Sequence, residues 1–389
     1  MSVEAERKSE PGVVAPRYFE FGSQNDGLTL DSGQVLGPVR ICYESYGTLN
    51  ADASNAILLL HAFSGDAHAA GYHSSDDRHP GWWHSMVGPG RPFDTDLYFV
   101  ICSNVLGGCQ GSTGPGSVNP ETGDRYGLEF PVITIHDMVK AQIRLMDHLG
   151  IQKLLAVAGG SMGGMQALEW ASRYSSRVQG AIILASTSRL SAQGIAFNAV
   201  GRNAIMSDPR FRDGCYYDGE PPTRGLSIAR MVGHITYLSD ESMRMKFGRR
   251  LQDRDSMDFS FADQFEVESY LEYKGGTFVD RFDANSYIFL SKAIDYFDME
   301  TTHGSLENAF ATTSSKFLIL SFSSDWLYPP YQSREIVRAL MRKQKDVSYC
   351  EISSPYGHDS FLLETERQAP MIRAFLSTLS QDRTMDGVP

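Results

Sequence analysis

A strand that runs straight into a glycine turn around one serine constrains this chain more than anything else in it. Residues 154–168 read Leu-Leu-Ala-Val-Ala-Gly-Gly-Ser-Met-Gly-Gly-Met-Gln-Ala-Leu. Small and branched apolar residues lead into Gly159-Gly160-Ser161-Met162-Gly163 and then a helical pattern. G-x-S-x-G between a strand and a helix is the nucleophile elbow, where the serine takes a cramped backbone conformation and its neighbours must lack side chains. Ser161 is then presented at the C-terminal edge of a sheet, above the N-terminus of the next helix. A phosphate-binding glycine turn, or plain strand–helix punctuation, would use the same glycines without the chemistry.

The rest of the chain agrees with a sheet of this kind. Apolar, β-branched runs predict strands over 39–46, 56–63, 97–103, 154–158, 180–185, 316–321 and 347–352. Those at 56–60, 154–158 and 316–320 are almost continuously apolar, as strands buried on both faces are. Helical periodicity over 135–149, 165–173 and 332–341 supplies the crossovers, so the expected fold is α/β with a mostly parallel, doubly wound sheet. From 186 to 315 the alternation stops and helical segments take over. This predicts a helical lid (186–315) inserted into a core made of 16–185 and 316–389, behind a flexible N-terminal tail (1–15).

Composition excludes several functions. Thirty-five basic against forty-seven acidic residues leave a net charge of −12, which disfavours nucleic acid and anionic membranes as partners. No apolar stretch reaches the roughly 18 residues a membrane span needs, and the first twenty residues mix charge with proline rather than forming a signal peptide. Five scattered cysteines without a C-x-x-C pair fit reduced thiols in the cytoplasm.

A serine nucleophile needs a base, and the base needs an orienting acid. In the strand–elbow–helix fold the chain order is Ser, acid, His. Asp325 follows the strand over 316–321 and His358 follows the strand over 347–352, so Ser161, Asp325 and His358 form the candidate triad. The oxyanion hole is expected from the Met162 N–H and, after the strand that ends in Leu60-His61-Ala62, the Phe63 N–H. Five histidines crowd 61–84 beside Asp66, Asp76 and Asp77. They lack a metal-ligand spacing, so this stretch reads as a solvated loop and no metal is expected. The glycine run 107–115 lacks the ending of a P-loop and reads as a tight loop lining the site. A triad alone does not distinguish an esterase from an acyltransferase, nor either from a silent binding protein of the same fold.

Longer motifs narrow this. Ser103-Asn-Val-Leu-Gly-Gly-Cys-Gln-Gly-Ser-Thr-Gly-Pro115, Gly159-Gly-Ser-Met-Gly-Gly-Met-Gln166, Ala229-Arg-Met-Val-Gly-His-Ile-Thr-Tyr-Leu-Ser239, Val267-Glu-Ser-Tyr-Leu-Glu-Tyr273, Arg281-Phe-Asp-Ala-Asn-Ser-Tyr287 and Tyr356-Gly-His-Asp359 together resemble the homoserine O-acetyltransferase family of α/β-hydrolase-fold acyltransferases, which serve methionine biosynthesis. The resemblance implies a ping-pong reaction without a cofactor: acetyl passes from acetyl-CoA to Ser161 and then to L-homoserine. It places the homoserine contacts on Arg230 and Asp359, with Tyr237 two helical turns along the same face as Arg230, and it implies a homodimer formed through the lid. Lys246, Arg249 and Arg250 are candidates for the phosphates of CoA. Succinyl-using members carry an arginine two residues beyond the catalytic aspartate. Here Leu327 stands at that position, so the expected donor is acetyl; a succinyltransferase, a serine acyltransferase or a lid-bearing carboxylesterase are the alternatives.

Overall fold

The computed structural model describes residues 11–23 and 26–386. Arg17–Phe21 forms β1, a short hairpin forms β2 (Leu28–Thr29) and β3 (Val35–Leu36), and β4 (Val39–Tyr46), β5 (Ala56–Leu60) and β6 (Phe99–Ser103) follow. After α1 (Ile135–His148) come β7 (Leu154–Gly160), α2 (Met162–Arg173) and β8 (Val178–Leu184). A run of helices then intervenes: α3 (Ala192–Met206), α4 (Thr223–Tyr237), α5 (Asp240–Lys246), α6 (Glu266–Val279), α7 (Ala284–Asp295), α8 (Met299–His303) and α9 (Leu306–Ala309). The chain closes with β9 (Lys316–Phe322), α10 (Pro330–Arg342), β10 (Val347–Ile352), α11 (Ser360–Leu363) and α12 (Thr365–Asp386).

The main sheet has the order β1-β4-β6-β5-β7-β8-β9-β10. Pairing is parallel from β6 through β10, and β1 and β4 add an antiparallel edge. Every residue of β5 and β7 is buried, which is why both read as unbroken apolar runs. The helices from α3 to α9 leave the sheet after β8 and return at β9, its hydrogen-bonded neighbour. Residues 1–10 of the expected tail lie outside the described residues. The remainder departs from that expectation: Val14 N–H donates to Tyr72 O at 2.8 Å and Tyr72 N–H to Gly12 O at 3.0 Å, so 12–14 is paired chain rather than a loose lead.

α2 is the central helix, and its first turn is pressed against the sheet. A Cβ on Gly163 would sit 1.9 Å from Leu60 O, and one on Gly159 2.6 Å from the same oxygen. A side chain on Gly160 would meet the Phe361 ring at 2.4 Å. These glycines bring helix and strands closer than any side chain allows.

The histidine-rich stretch differs from the expected solvated loop, because a buried carboxylate organises it. Glu44, on β4, is 1% exposed. One of its oxygens meets His68 Nδ1 at 2.9 Å and the other meets His73 Nε2 at 2.7 Å, and Tyr46 donates to it at 2.7 Å. Burial opposes the charge on Glu44, but these three hydrogen bonds outweigh it and lower its pKa; burial likewise opposes the charge on His68, and the Glu44 contact outweighs it and raises its pKa. The Nδ1 of His68, the Nε2 of His73 and the carboxylate lie within 4.8 Å of one another, a donor set that suits a divalent metal by residue type. Here the three groups satisfy each other. His61 is also buried. Its Nε2 accepts from Val105 N–H at 3.0 Å and its Nδ1 donates to Ala62 O at 2.8 Å, tying the loop after β5 to the loop after β6.

Gly163→Ala should cost at least about 3 kcal/mol, since the obstacle is a backbone oxygen in a parallel sheet; chemical denaturation and the yield of folded protein test this. For the Glu44–His68 pair, the lowered carboxyl contributes stability above its ordinary value and loses it as pH falls. The raised imidazole contributes below its ordinary value and loses it as pH rises. Both contributions coincide between about pH 4.5 and 6.5. His68→Gln should therefore cost about 1–3 kcal/mol near pH 6 and clearly less near pH 9, read from urea midpoints.

Candidate active site

Ser161 stands at φ 57° and ψ −124° between β7 and α2. A β-carbon in that region is strained, and the strain persists because the surroundings fix it. Ser161 N–H donates to Leu184 O on β8 at 3.0 Å, and Ser161 O accepts from the Ser186 hydroxyl at 2.8 Å. Met162 is the first residue of α2, so its N–H has no carbonyl within the helix to bond. Among the described residues neither Met162 N–H nor Phe63 N–H is taken by a protein acceptor. The Phe63 ring packs edge-on against Tyr287, 4.9 Å between centroids, which fixes the loop carrying that amide.

His358 and Asp325 meet as their order predicts. The ring Nδ1 of His358 lies 2.8 Å from Asp325 Oδ2, and both residues are buried. Asp325 Oδ1 accepts from Leu327 N–H at 3.0 Å and from Tyr328 N–H at 2.9 Å, so its cap-like bonds steady the carboxylate rather than open a helix. With Nδ1–H given to the aspartate, His358 keeps Nε2 as an acceptor. The turn before it depends on Gly357, at φ +70°, where a Cβ would lie 2.5 Å from Ser239 N. The end of α4 is thereby laid directly against the histidine turn.

Arg230 emerges from α4 over two rings, 4.6 Å from the centroid of Phe278 and 5.5 Å from that of Tyr237. Its Nη1 donates to the Ser64 hydroxyl at 3.2 Å, and it makes no ion pair among the described residues. Tyr237, which carries the guanidinium over its face, has its ring 6.0 Å from that of His358. Asp359 does not cap α11. Its pKa is raised by burial, against the pull of His358 and Arg230. Leu327 lines a narrow cavity with Ser161, Phe63, Tyr237, Tyr287 and Tyr328. Ser161, Phe63, Tyr237 and Leu327 line this cavity; Tyr237 links it to Arg230 and to His358, which Asp325 holds and Asp359 follows.

Two expectations are corrected. The glycine run 107–115 lines a different cleft, with Arg40, Tyr217 and Asp283. Its tie to the site is indirect: Gln110 donates to Arg281 O at 2.6 Å. Of the three basic residues after α4, Arg250 is bound to Glu266 at 2.8 Å and also reaches Lys246 O, while Arg249 covers Phe265 at 5.3 Å. Only Lys246 faces the neighbourhood of Arg230.

Tyr328 is a residue that sequence reasoning missed. It lines the cavity beside Ser161, and its pKa is raised by burial and then by Asp325. The ring lies 5.1 Å from that of His358. Its only sequence signal was its place three residues after the aspartate.

Residues 55–365 match the α/β-hydrolase-fold family. A homoserine O-acetyltransferase of Solidesulfovibrio magneticus is 57% identical over 94% of this chain and 93% of its own length, and that of Geobacter sulfurreducens is 57% identical over 95% and 99%. The crystal structure of homoserine O-acetyltransferase from Bacillus anthracis superposes with a TM-score of 0.88 at 30% identity, covering 94% of this chain and 98% of that one. Esterase E22 superposes at 0.86 with 32% identity, over 94% and 100%. Sequence, sheet topology and elbow agree: the chain belongs to the homoserine O-acetyltransferases of the α/β-hydrolase fold.

Proposed function

We propose that Ser161 takes an acetyl group from acetyl-CoA and passes it to the hydroxyl of L-homoserine in a ping-pong reaction. The observation that carries this reading is that Tyr237, which lines the cavity with Ser161, carries Arg230 over its ring and lies beside His358, the residue next to Asp359. As Ser161 Oγ attacks the thioester carbon, its proton moves to His358 Nε2. The negative charge develops on the acyl oxygen, toward the N–H groups of Met162 and Phe63. Collapse breaks the C–S bond, and the proton passes from His358 to the departing sulfur. The homoserine hydroxyl then attacks the acetyl-serine, gives its proton to His358, and the C–Oγ bond breaks with that proton returning to Ser161. Asp325 holds the tautomer and stabilises the imidazolium in both halves. Tyr328, which lines the cavity with Ser161 and packs beside the His358 ring, walls the acyl site.

Arg230 and Asp359 supply what a zwitterionic amino acid needs, a guanidinium for its carboxylate and an anion for its ammonium. Tyr237 orients Arg230. An esterase has no use for such a pair, so the reading rests on homoserine outcompeting water. The helices from α3 to α9 act as the lid over this acceptor site. Exposed apolar side chains on them, Ile195, Val200, Ile228 and Ile235 among others, support a homodimer formed through the lid. The absence of any paired cysteine among the described residues supports a cytoplasmic enzyme.

Mass spectrometry of the enzyme with acetyl-CoA alone should show an acetylated peptide containing Ser161, discharged far faster by homoserine than by water, and Ser161→Ala should abolish both steps. Equal discharge by water would assign an esterase. For the donor, Leu327 offers a free carboxylate nothing, and an unpaired buried charge costs about 1.5–3 kcal/mol, or one to two orders of magnitude in kcat/KM. Leu327→Arg should raise kcat/KM for succinyl-CoA and lower it for acetyl-CoA. A wild-type preference for succinyl-CoA would refute the acetyl assignment.

A further inference from the structure

Four cations gather at the face of the helical segment beside the acyl cavity, and two aromatic rings each carry a pair of them. Lys246 Nζ lies 4.4 Å and Lys274 Nζ 5.9 Å from the Tyr270 ring centroid. The guanidinium carbons of Arg230 and Arg281 lie 4.6 and 5.3 Å from that of Phe278. The two pairs come from α4, α5, α6 and the loop after α6, so no single helix period explains their meeting.

The fold pairs this charge with no carboxylate in direct contact, and the anion nearest to it, Asp359, is itself held back by burial. None of the four forms an ion pair among the described residues. The acidic side chains that open α6 are engaged elsewhere: Glu266 holds Arg250 at 2.8 Å, and Glu268 accepts the Gln264 and Phe265 N–H groups, each at 2.8 Å. His234, buried beside Tyr270, accepts or donates at Nδ1 to that hydroxyl at 3.1 Å, while its Nε2 has no partner. Burial and then Arg230, Lys274 and Lys246 push its pKa down to about 3, so it adds no fifth charge. Lys274 is itself lowered by burial, then by Lys246 and Arg230. In a chain of net charge −12, an unpaired cationic cluster of this kind is a place where an anion of high charge density is attracted and held.

Two functions divide the cluster. Arg230 and Arg281 are anchored to the loop that follows Phe63, since both donate to Ser64, one to its hydroxyl at 3.2 Å and the other to its carbonyl at 3.0 Å. Lys246 and Lys274 stand on the outer ring, and Lys246 is exposed. A small amino acid held by Arg230 and Asp359 does not need the outer pair. A long donor whose acyl end enters the cavity and whose phosphorylated end stays outside does. We infer that Lys246 and Lys274, with Arg281 on the inner side, form a phosphate-binding site for the donor thioester. This rests on the acetyl-CoA reading above, and it leaves out Arg250, which Glu266 holds, and Arg249, which lies over Phe265 rather than over the Tyr270 ring that carries the two lysines.

The test compares acetyl-CoA with S-acetyl-N-acetylcysteamine, a thioester without phosphates, in wild type and in the Lys246→Gln/Lys274→Gln double variant. The kcat/KM preference for acetyl-CoA over the truncated donor should fall about a hundredfold, roughly tenfold per lost charge-assisted contact, and calorimetric binding of free coenzyme A should weaken in parallel. Lys274→Arg should retain most of the preference. An unchanged preference, or coenzyme A binding that ignores both lysines, would overturn the site. Coenzyme A binding that depends on the lysines, in an enzyme that acetyl-CoA fails to acetylate, would uphold the phosphate site and refute the acetyl donor instead.

Discussion

The closeness of α2 to β5 and β7 is the constraint on which the site depends. Leu60 O lies where a Cβ of Gly163 or Gly159 would be, so the helix can start only where the chain turns with no side chain on either flank. That turn forces Ser161 to positive φ and lifts its hydroxyl off the sheet. It also exposes the first N–H of α2, so nucleophile and oxyanion donor are products of one packing contact. Phe361 completes the arrangement: it fills the space beside Gly160 and packs at a tilt against the His358 ring, 5.3 Å between centroids. A change in this contact is therefore felt by three catalytic parts at once.

The elbow, the order of the triad and the outline of the sheet were legible because each is a local pattern. Period-two and continuous apolar runs mark strands, and glycines mark places where side chains cannot fit. Arg230 and Asp359 were legible only through the family resemblance, since nothing in their own surroundings in the chain distinguishes a substrate contact from a surface charge. The histidine stretch was misread for the opposite reason. Its density of polar residues signals a solvated loop, but Glu44, some twenty to thirty residues earlier, draws it inward, and no local window contains both partners. Tyr328 and the pairing of Lys246 with Lys274 were hidden likewise, because their meanings arise from contacts between separate helices and loops.

Electrostatically the site is graded. Asp359 is the anion at the centre, its charge held back by burial. Arg230 stands beside it on two rings, and the lysines lie further out. Ser64 joins the levels, since its hydroxyl and carbonyl take the two arginines and its neighbour is the Phe63 amide. Because both arginines bond Ser64, a displacement of Arg230 is transmitted to the loop that carries the Phe63 amide.

The helical segment leaves the sheet at β8 and re-enters at β9, two strands hydrogen-bonded to each other. Its two ends are thus stitched to adjacent rails, and the frame holding Ser161, Asp325 and His358 closes beneath it whatever its length or content. Such a layout is modular: side chains on the inserted helices can change while the frame beneath them keeps its geometry. A transferase from Bacillus anthracis and an esterase overlay this chain almost equally well, each over 94% of its length, inserted helices included, so what separates such proteins lies in side chains rather than in the path of the backbone.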